Sequence, residues 1–116
     1  MLNMTNYSFG DVILVPFPFT DQTTTKKRPA VVISSEVYNR EYPDLIIIDI
    51  MSQRKSIAMV GDVTLTKWQE SGLIKPSMIK PIIATLENKL VLRKLGQLQS
   101  PDRDALQQGL KGILDI

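Results

Sequence analysis

Short apolar runs separated by turn-forming residues follow one another along most of the chain. Each run is rich in Val, Ile and Leu and has about the length of one strand, whereas Pro, Gly, Asp, Asn and Thr collect between the runs. Six strands are predicted on this basis, at residues 10–16, 30–34, 45–51, a short piece within 58–65, 78–86 and 90–96. The chain is therefore predicted to be mainly β.

Two further segments carry helical signals. Thr66 and Gln69 have the spacing of a capping box and Gly72 follows as a stop signal, which predicts a helix of one to two turns over 67–71. The Ser-Pro pair at 100–101 marks the start of a terminal helix. Four apolar residues then recur at helical spacing, and these are Leu106, Leu110, Ile113 and Leu114. We expect this stripe to pack against the sheet.

Strands followed by a terminal helix indicate an α+β fold that is mainly β. We expect a small barrel or strongly bent sheet with a short internal helix and a C-terminal helix. At 116 residues the chain has the length of one domain, so a single unit over residues 1–116 is predicted. A domain of this size buries a modest core without support from metals or disulfides.

Cysteine and histidine are both absent from the sequence. Without Cys there are no disulfides and no thiolate metal sites, which agrees with a cytoplasmic protein. No apolar run approaches the roughly 20 residues of a membrane span, and the first residues lack a signal-peptide pattern, so we expect no membrane association. Without His, acid–base chemistry near neutral pH must use other side chains.

Positive charge is concentrated in parts of the chain, although the net charge is only +2. Residues 54–94 contain eight Lys or Arg against three Asp or Glu, an excess of five, and Lys26, Lys27 and Arg28 form another cluster. Such a distribution favours a phosphate backbone as a ligand. A solvated strand face whose lysines keep the protein soluble explains the same charge.

Arg28 is the strongest candidate for a chemical role. It stands with Pro29 at the end of a polar loop, at the mouth of a predicted hairpin between two β-rich runs. A guanidinium makes two charge-assisted hydrogen bonds to a phosphate and keeps its charge at every relevant pH. Arg28 is therefore suited to binding a phosphate and stabilising its charge; an ordinary surface arginine is the alternative.

Asp49 interrupts the run Leu-Ile-Ile-Ile-Asp-Ile at 45–50, which is otherwise apolar enough to be buried on both faces. A buried carboxylate needs a partner. Arg28 and Arg54 are the candidate partners, and the pair is either structural or part of a site.

Several segments of the chain together resemble one protein family. GDVILVPFPFT at 10–20 and KRPAVVIS at 27–34 look like the amino-terminal half of the PemK/MazF toxins of bacterial toxin–antitoxin systems. The similarity continues through GDV at 61–63, Trp68, GLIKPS at 72–77 and LRKLG at 92–96. It therefore spans roughly residues 8–98, and the order and spacing of its pieces make it specific.

The resemblance implies the toxin component of a type II toxin–antitoxin system, with an SH3-like β-barrel that forms a homodimer. It implies a metal-independent endoribonuclease that needs no cofactor and cleaves single-stranded mRNA at short sequences. Attack by the 2′-hydroxyl would leave 2′,3′-cyclic phosphate and 5′-hydroxyl ends. The resemblance also implies a cognate antitoxin that inhibits the enzyme and joins it in DNA binding.

The same resemblance suggests catalytic residues, with Arg28 as the main one. In the family, a threonine after the third strand donates its hydroxyl to the substrate phosphate, but this chain has Met51 there, and a thioether is no donor. Ser52 is the predicted substitute, and a turn serine at the end of the strand is the alternative. RNA contacts are further predicted at Thr20, Asp21, Lys26, Lys27, Gln53 and Lys80.

A second departure from the family lies at the predicted fifth strand. Some members place Arg and Asp two residues apart there, whereas this chain has Lys80 and Ile82. Lys80 keeps a cation and is expected to steer RNA, but Ile82 offers no carboxylate. Together with Met51, this leaves one alternative open: a catalytically weak or inactive member that acts as an RNA- or antitoxin-binding module.

Overall fold

A six-stranded antiparallel sheet, curled into a half-barrel, forms the body of the computed structural model. The structure describes residues 6–17, 26–54 and 57–116. The strands are β1 (Asp11–Pro16), β2 (Lys27–Val32), β3 (Asp44–Ser52), β4 (Val63–Thr64), β5 (Ser77–Glu87) and β6 (Arg93–Gln97). The helices are α1 (Glu36–Glu41) and α2 (Ser100–Ile113), and a 3₁₀ turn spans Asn88–Leu90. This architecture confirms the predicted α+β, mainly β fold.

β3 is the strand on which the two halves of the sheet meet. The strand order is β4-β5-β3-β2-β1-β6, so β3 lies between β2 and β5. Its apolar run is buried on both faces, as the hydrophobic pattern of the strand predicts. The ladder between β3 and β5 shifts register between Ile48 and Asp49. Because such a bulge bends a strand and increases its twist, it contributes to the curl of the sheet beside Asp49.

Apolar side chains form one core on each face of the sheet, because successive strand residues point to opposite sides. The first core joins strand residues to α2; it includes Val12, Val31, Ile48, Ile50, Ile79, Leu106 and Leu110. The second core fills the opposite face; it includes Ile13, Val15, Phe17, Ala30, Val32 and Ile47. The sheet is thus fixed from both sides, which gives a rigid support for groups at its end.

α2 confirms the predicted terminal helix and packs its stripe on the first core. Leu106 and Leu110 are buried there, and Ile113 is partly buried against them. Leu114 departs from the prediction, since it lies just beyond the last helical residue and is exposed. Neither helix in the described ranges is long and apolar enough to cross a membrane.

The helix predicted at 67–71 is wrong. These residues form consecutive hydrogen-bonded turns, in which the Ser71 amide donates to the carbonyl of Lys67. Thr66 does not act as a helix cap, because its hydroxyl donates to Oδ1 of Asp102 at 2.8 Å. The amides of Thr66 and Lys67 also donate to the Asp102 carboxylate, at 3.0 and 2.9 Å. A contact distant in sequence therefore replaces the local capping pattern.

The internal helix of this fold is instead α1, which the sequence analysis missed. Ser35 caps it by accepting a hydrogen bond from the Tyr38 amide at 3.1 Å, and Arg40 pairs with Glu36 one turn earlier at 3.2 Å. These are ordinary start and pairing signals. The helix has only six residues, which is too short for its apolar pattern to stand out.

The start of β2 differs from the predicted one, and this difference affects the candidate site. β2 begins at Lys27 rather than at residue 30, so Arg28 and Pro29 belong to the strand. Pro29 is tolerated because the ladder with β3 starts only at Ala30, and proline has no amide hydrogen to donate. The short strand predicted within 58–65 is β4, at Val63–Thr64.

Two glycines hold the loop between β4 and β5, residues 65–76, against β6. Gly72 has φ of +91°, and a Cβ there would overlap the backbone carbonyl of Leu95. A Cβ on Gly96 would lie only 2.5 Å from the carbonyl oxygen of Ser71. Side chains at these positions are therefore excluded, and the close approach brings Lys75 near Arg93.

We predict that Asp102→Ala lowers the free energy of unfolding by about 2–3 kcal/mol, because it removes the shared acceptor of three hydrogen bonds to Thr66 and Lys67. Denaturant unfolding followed by circular dichroism measures this change. Asp104→Ala, at an exposed position on the same helix, is the matched control and should change stability by less than about 0.5 kcal/mol. Equal effects of the two substitutions would contradict the role given to Asp102.

Candidate functional site

A cavity of about 190 Å³ opens where β2 and β3 reach the same end of the sheet. β2 contributes Lys27, Arg28 and Pro29, and β3 contributes its last three residues. The full lining is Lys27, Arg28, Pro29, Ile50, Met51, Ser52, Lys75 and Ser77. The antiparallel pairing of these strands therefore brings together residues that are more than 20 positions apart in the sequence.

Arg28 has defined neighbours on two sides. Its Nη2 lies 3.4 Å from Oδ2 of Asp49, and its guanidinium carbon lies 6.0 Å from the centre of the Phe17 ring, a cation–π distance. Phe17 is fully buried, whereas the Arg28 side chain remains 29% exposed where it borders the cavity. The charged group is thus held at the boundary between the second core and solvent.

Asp49 is the buried partner of Arg28, which settles the choice between Arg28 and Arg54. Burial raises the pKa of Asp49, while the charge of Arg28 and the backbone amide of Ile50 act in the opposite direction. Burial dominates because the side chain is only 2% exposed. Within the described residues, Oδ1 of Asp49 has no hydrogen-bond partner. The ionised carboxylate therefore depends strongly on Arg28.

Met51 and Ser52 both line the cavity, although neighbouring residues on a regular strand point to opposite faces. Ser52 is the last residue of β3 and lies opposite Ser77, the first residue of β5. At this end of the ladder both Met51 and Ser52 border the cavity. Met51 is partly buried and Ser52 is exposed, so the hydroxyl is the more accessible of the two.

A second cavity of about 280 Å³ adjoins the first. Its walls are mainly apolar, and three cations stand among them. The lining is Leu14, Lys27, Pro29, Gly72, Leu73, Ile74, Lys75, Ser77, Arg93 and Leu95. Four of these residues also line the first cavity: Lys27, Pro29, Lys75 and Ser77. We call the two adjoining cavities the basic groove.

Within the part of the chain that the structure describes, the cations of the basic groove other than Arg28 have no ion-pair partner. Among the described residues, no carboxylate lies within 4 Å of the charged groups of Lys27, Lys75 or Arg93. Unpaired cations beside apolar walls suit a ligand that carries several anionic groups and flat apolar parts.

Comparison with family models decides which family this chain belongs to. Residues 8–114 match the model of the PemK-like, MazF-like toxins of type II toxin–antitoxin systems. The chain is a member of this toxin family. The match covers nearly the whole sequence and extends past the region of motif resemblance into α2.

Solved structures share the fold of this family member at low sequence identity. The MazE–MazF complex (form III) from Deinococcus radiodurans matches with a TM-score of 0.74 and 17% identity, covering 96% of this chain and 98% of that chain. An endoribonuclease in complex with its cognate antitoxin from a mycobacterial species gives 0.72 and 15%, covering 92% and 94%. Mycobacterium tuberculosis toxin MazF-mt6 gives 0.68 and 16%, covering 89% and 95%. A comparison with curated proteins gave no significant match.

Only some of the predicted site residues line the basic groove. Lys27, Arg28 and Ser52 line the first cavity together, whereas Lys26 and Gln53 are exposed next to it in sequence without lining it. The predicted RNA contacts at Thr20 and Asp21 lie outside the described residues. Lys80 lines neither cavity of the basic groove.

Lys80 faces a second buried carboxylate instead. Its Nζ lies 3.3 Å from Oδ1 of Asp62, whose side chain is 3% exposed. The Met59 amide, which donates to Oδ2 at 2.9 Å, lowers the pKa of Asp62, and Lys80 lowers it further against the effect of burial. The Asp62–Lys80 pair thus resembles the Asp49–Arg28 pair in burial but lies outside the lining of the groove.

Lys75, Ser77 and Arg93 are groove residues that the sequence analysis did not single out. Their signal was the excess of cations between residues 54 and 94 and the motifs GLIKPS and LRKLG. Which cations face one another depends on the contact of Gly72 with Leu95, and no local pattern encodes that contact. In the described parts of the chain, no group of three or more His, Cys, Asp or Glu is arranged to hold a metal ion.

Proposed function

We propose that this toxin-family member is an endoribonuclease that cleaves single-stranded mRNA at short sequences without a metal ion. The observation that carries the proposal is the position of Arg28 in a cavity that also contains Ser52, Lys27 and Lys75. A phosphate bound there meets a guanidinium, a hydroxyl and two further cations. Solved structures of mycobacterial endoribonucleases that share this fold support the same activity.

The proposed reaction is an attack of the ribose 2′-oxygen on the adjacent phosphorus. The bond from the 2′-oxygen to phosphorus forms as the bond from phosphorus to the 5′-oxygen breaks, while the 2′-hydroxyl loses a proton and the 5′-oxygen gains one. Products are a 2′,3′-cyclic phosphate and a 5′-hydroxyl. Because the nucleophile belongs to the RNA itself, this step needs neither an activated water nor a metal.

Arg28 and Ser52 are the proposed catalytic residues. Negative charge grows on the phosphoryl oxygens in the transition state, and a fixed guanidinium stabilises that charge with paired hydrogen bonds. The Ser52 hydroxyl donates a further hydrogen bond from the neighbouring strand end. In this way the chain replaces the hydroxyl that is lost at Met51.

Binding of RNA is assigned to the rest of the basic groove. Lys27, Lys75 and Arg93 would hold phosphates on either side of the cut, and the apolar second cavity would seat an unpaired base or ribose next to it. Additional contacts from Thr20, Asp21, Lys26, Gln53 and Lys80 are part of the proposal; Lys26, Gln53 and Lys80 lie outside the lining of both cavities. No cofactor is required.

A cognate antitoxin is the proposed protein partner, since the structures that share this fold include complexes with an antitoxin. We propose that it inhibits cleavage and that the complex binds DNA. The toxin itself is proposed to act in the cytoplasm as a homodimer.

A second candidate function is a weakly active or inactive member that binds RNA or antitoxin. The specific observation in its favour is Met51, which occupies cavity space with a side chain that cannot donate a hydrogen bond. Cleavage assays with substitutions at residues 28, 51 and 52 separate the two candidates.

We predict that the purified protein cuts a long unstructured RNA in EDTA at one short repeated sequence, and that Arg28→Ala reduces the rate by at least about 100-fold. Mapping of cut positions and end chemistry by sequencing and mass spectrometry provides the readout. Arg40→Ala is the control, because Arg40 is an exposed arginine paired with Glu36 on α1.

Ser52→Ala should lower the rate about tenfold or more, because it removes the proposed donor to the phosphate.

Cleavage by the wild-type protein at the background level of Arg28→Ala would contradict the nuclease proposal. If Met51→Thr then produced strong, site-specific cleavage, the natural protein would be assigned the binding-module function instead of the nuclease function. Circular dichroism of each variant shows that its fold is intact before rates are compared.

We also predict that Ile74→Asp raises KM for RNA about tenfold or more with little change in kcat, because it places a negative charge beside the phosphates and removes apolar cover from the second cavity. Ile74 is 93% exposed in the free protein, so the substitution should not disturb the core. Val37→Asp is the matched control, since Val37 is also exposed and lies on α1, which follows the other end of β2. An equal KM for both variants and the wild type would exclude RNA from this cavity.

A further inference from the structure

We propose that Asp49 is a positioning residue, whose carboxylate holds the guanidinium of Arg28 in the orientation that a phosphate in the first cavity requires. This inference rests on the proposed nuclease function, because it concerns the residue that would stabilise the transition state. It assigns a functional reason to a buried charge in the middle of the sheet.

Asp49 lies at a position where a carboxylate destabilises the fold. It lies on the central strand, and its neighbours Ile47, Ile48 and Ile50 are fully buried. Removing an ionised carboxylate from water is unfavourable, and replacing a buried ion pair by apolar residues is often neutral or stabilising. Core packing alone therefore favours an aliphatic residue at position 49.

Asp49 faces charged residues on both neighbouring strands, β2 and β5. On β2, Ala30 lies directly opposite Asp49, so Arg28, two residues earlier, shares its face. On β5, Lys80 lies opposite Asp49, but its ammonium group pairs with Asp62. Within the described residues, Arg28 is thus the cation that meets the Asp49 carboxylate, at 3.4 Å.

The contact with Asp49 restrains the side chain of Arg28. Asp49 fixes one edge of the guanidinium, and the Phe17 ring lies at 6.0 Å from its central carbon. Arginine has five N–H donors, so donors remain for a phosphate after one nitrogen faces Asp49. A long side chain that is fixed before substrate binds loses less conformational freedom when the transition state forms.

Asp49→Asn tests the proposal, since it keeps the shape of the side chain and removes its charge. We expect kcat to fall about 10- to 100-fold with KM changed less than about threefold, because Lys27, Lys75 and Arg93 still bind the RNA. Asp62→Asn is the matched control. Both carboxylates are almost fully buried, at 2% and 3% exposure, and both pair with a cation that is about a third exposed. We expect Asp62→Asn to change kcat by less than about twofold.

Stability gives a second readout that separates positioning from a structural role. Since burial raises the pKa of Asp49, the folded state binds a proton at this site more tightly than the unfolded chain does. The ionised form therefore destabilises the fold as pH rises through the folded pKa, and this effect is absent below the ordinary aspartate pKa. Asp49→Asn should accordingly melt at least as high as wild type at pH 7.5, with the difference shrinking on acidification.

The pH profile of cleavage gives a third readout. Protonation of Asp49 removes the ion pair with Arg28, so kcat of the wild type should fall as pH drops through the raised folded pKa. Asp49→Asn lacks this group, and its kcat should show no acid limb from it. The Asp62→Asn profile should follow the wild type.

Three results would overturn the proposal, and they differ from failure of the nuclease function. If Asp49→Asn keeps the wild-type kcat while Arg28→Ala is inactive, Arg28 acts without positioning by Asp49. If Asp49→Asn lowers kcat and also melts well below wild type at pH 7.5, Asp49 is structural. If the acid limb persists in Asp49→Asn, another group causes it. Failure of the nuclease function itself appears instead as no cleavage by wild type above Arg28→Ala.

Discussion

The ion pair between Arg28 and Asp49 connects the centre of the sheet to the candidate site, and the chemistry proposed for this protein depends on it. β3 is buried on both faces, and a single charged residue interrupts its apolar run. That residue faces the one arginine of β2, whose side chain reaches the first cavity. The rigidity of the double-sided core is thereby transmitted to a guanidinium at the edge of the sheet. In a chain without histidine, a well-placed permanent cation is the strongest electrostatic catalyst that the sequence offers.

The opposite wall of the groove depends on interactions between segments that are distant in sequence. The carboxylate of Asp102 on α2 holds the start of the loop at 65–76, and the close approach of Gly72 to Leu95 fixes its middle. The same loop then presents Ile74 and Lys75 beside Arg93. The terminal helix and the two glycines therefore shape this wall of the groove. Gly72 also lines the groove, whereas α2 and Gly96 act only by holding the loop in place.

Sequence predicted the parts of this protein that are encoded by local patterns. Periodic apolar runs located the strands, the Ser-Pro pair located α2, and an isolated carboxylate in an apolar run predicted a paired Asp49. The capping-box pattern at Thr66 predicted a helix that does not form; the hydroxyl and the amide of Thr66 instead donate to Asp102, 36 residues away. Lys80 was predicted to bind RNA because it keeps a cation where some family members have Arg, and sequence did not reveal its pairing with Asp62. Such contacts between distant segments decide which cations share a groove, and local patterns do not encode them.

The central claim is that Asp49 acts on catalysis through Arg28, and a double-mutant cycle tests it most directly. Single-turnover cleavage rates of one RNA would be measured for the wild type, Arg28→Ala, Asp49→Asn and the double variant. The account predicts that the double variant is no slower than Arg28→Ala, because Asp49 has nothing left to position. If Asp49→Asn instead lowers the rate by the same factor in both backgrounds, the two residues act independently and the account is contradicted.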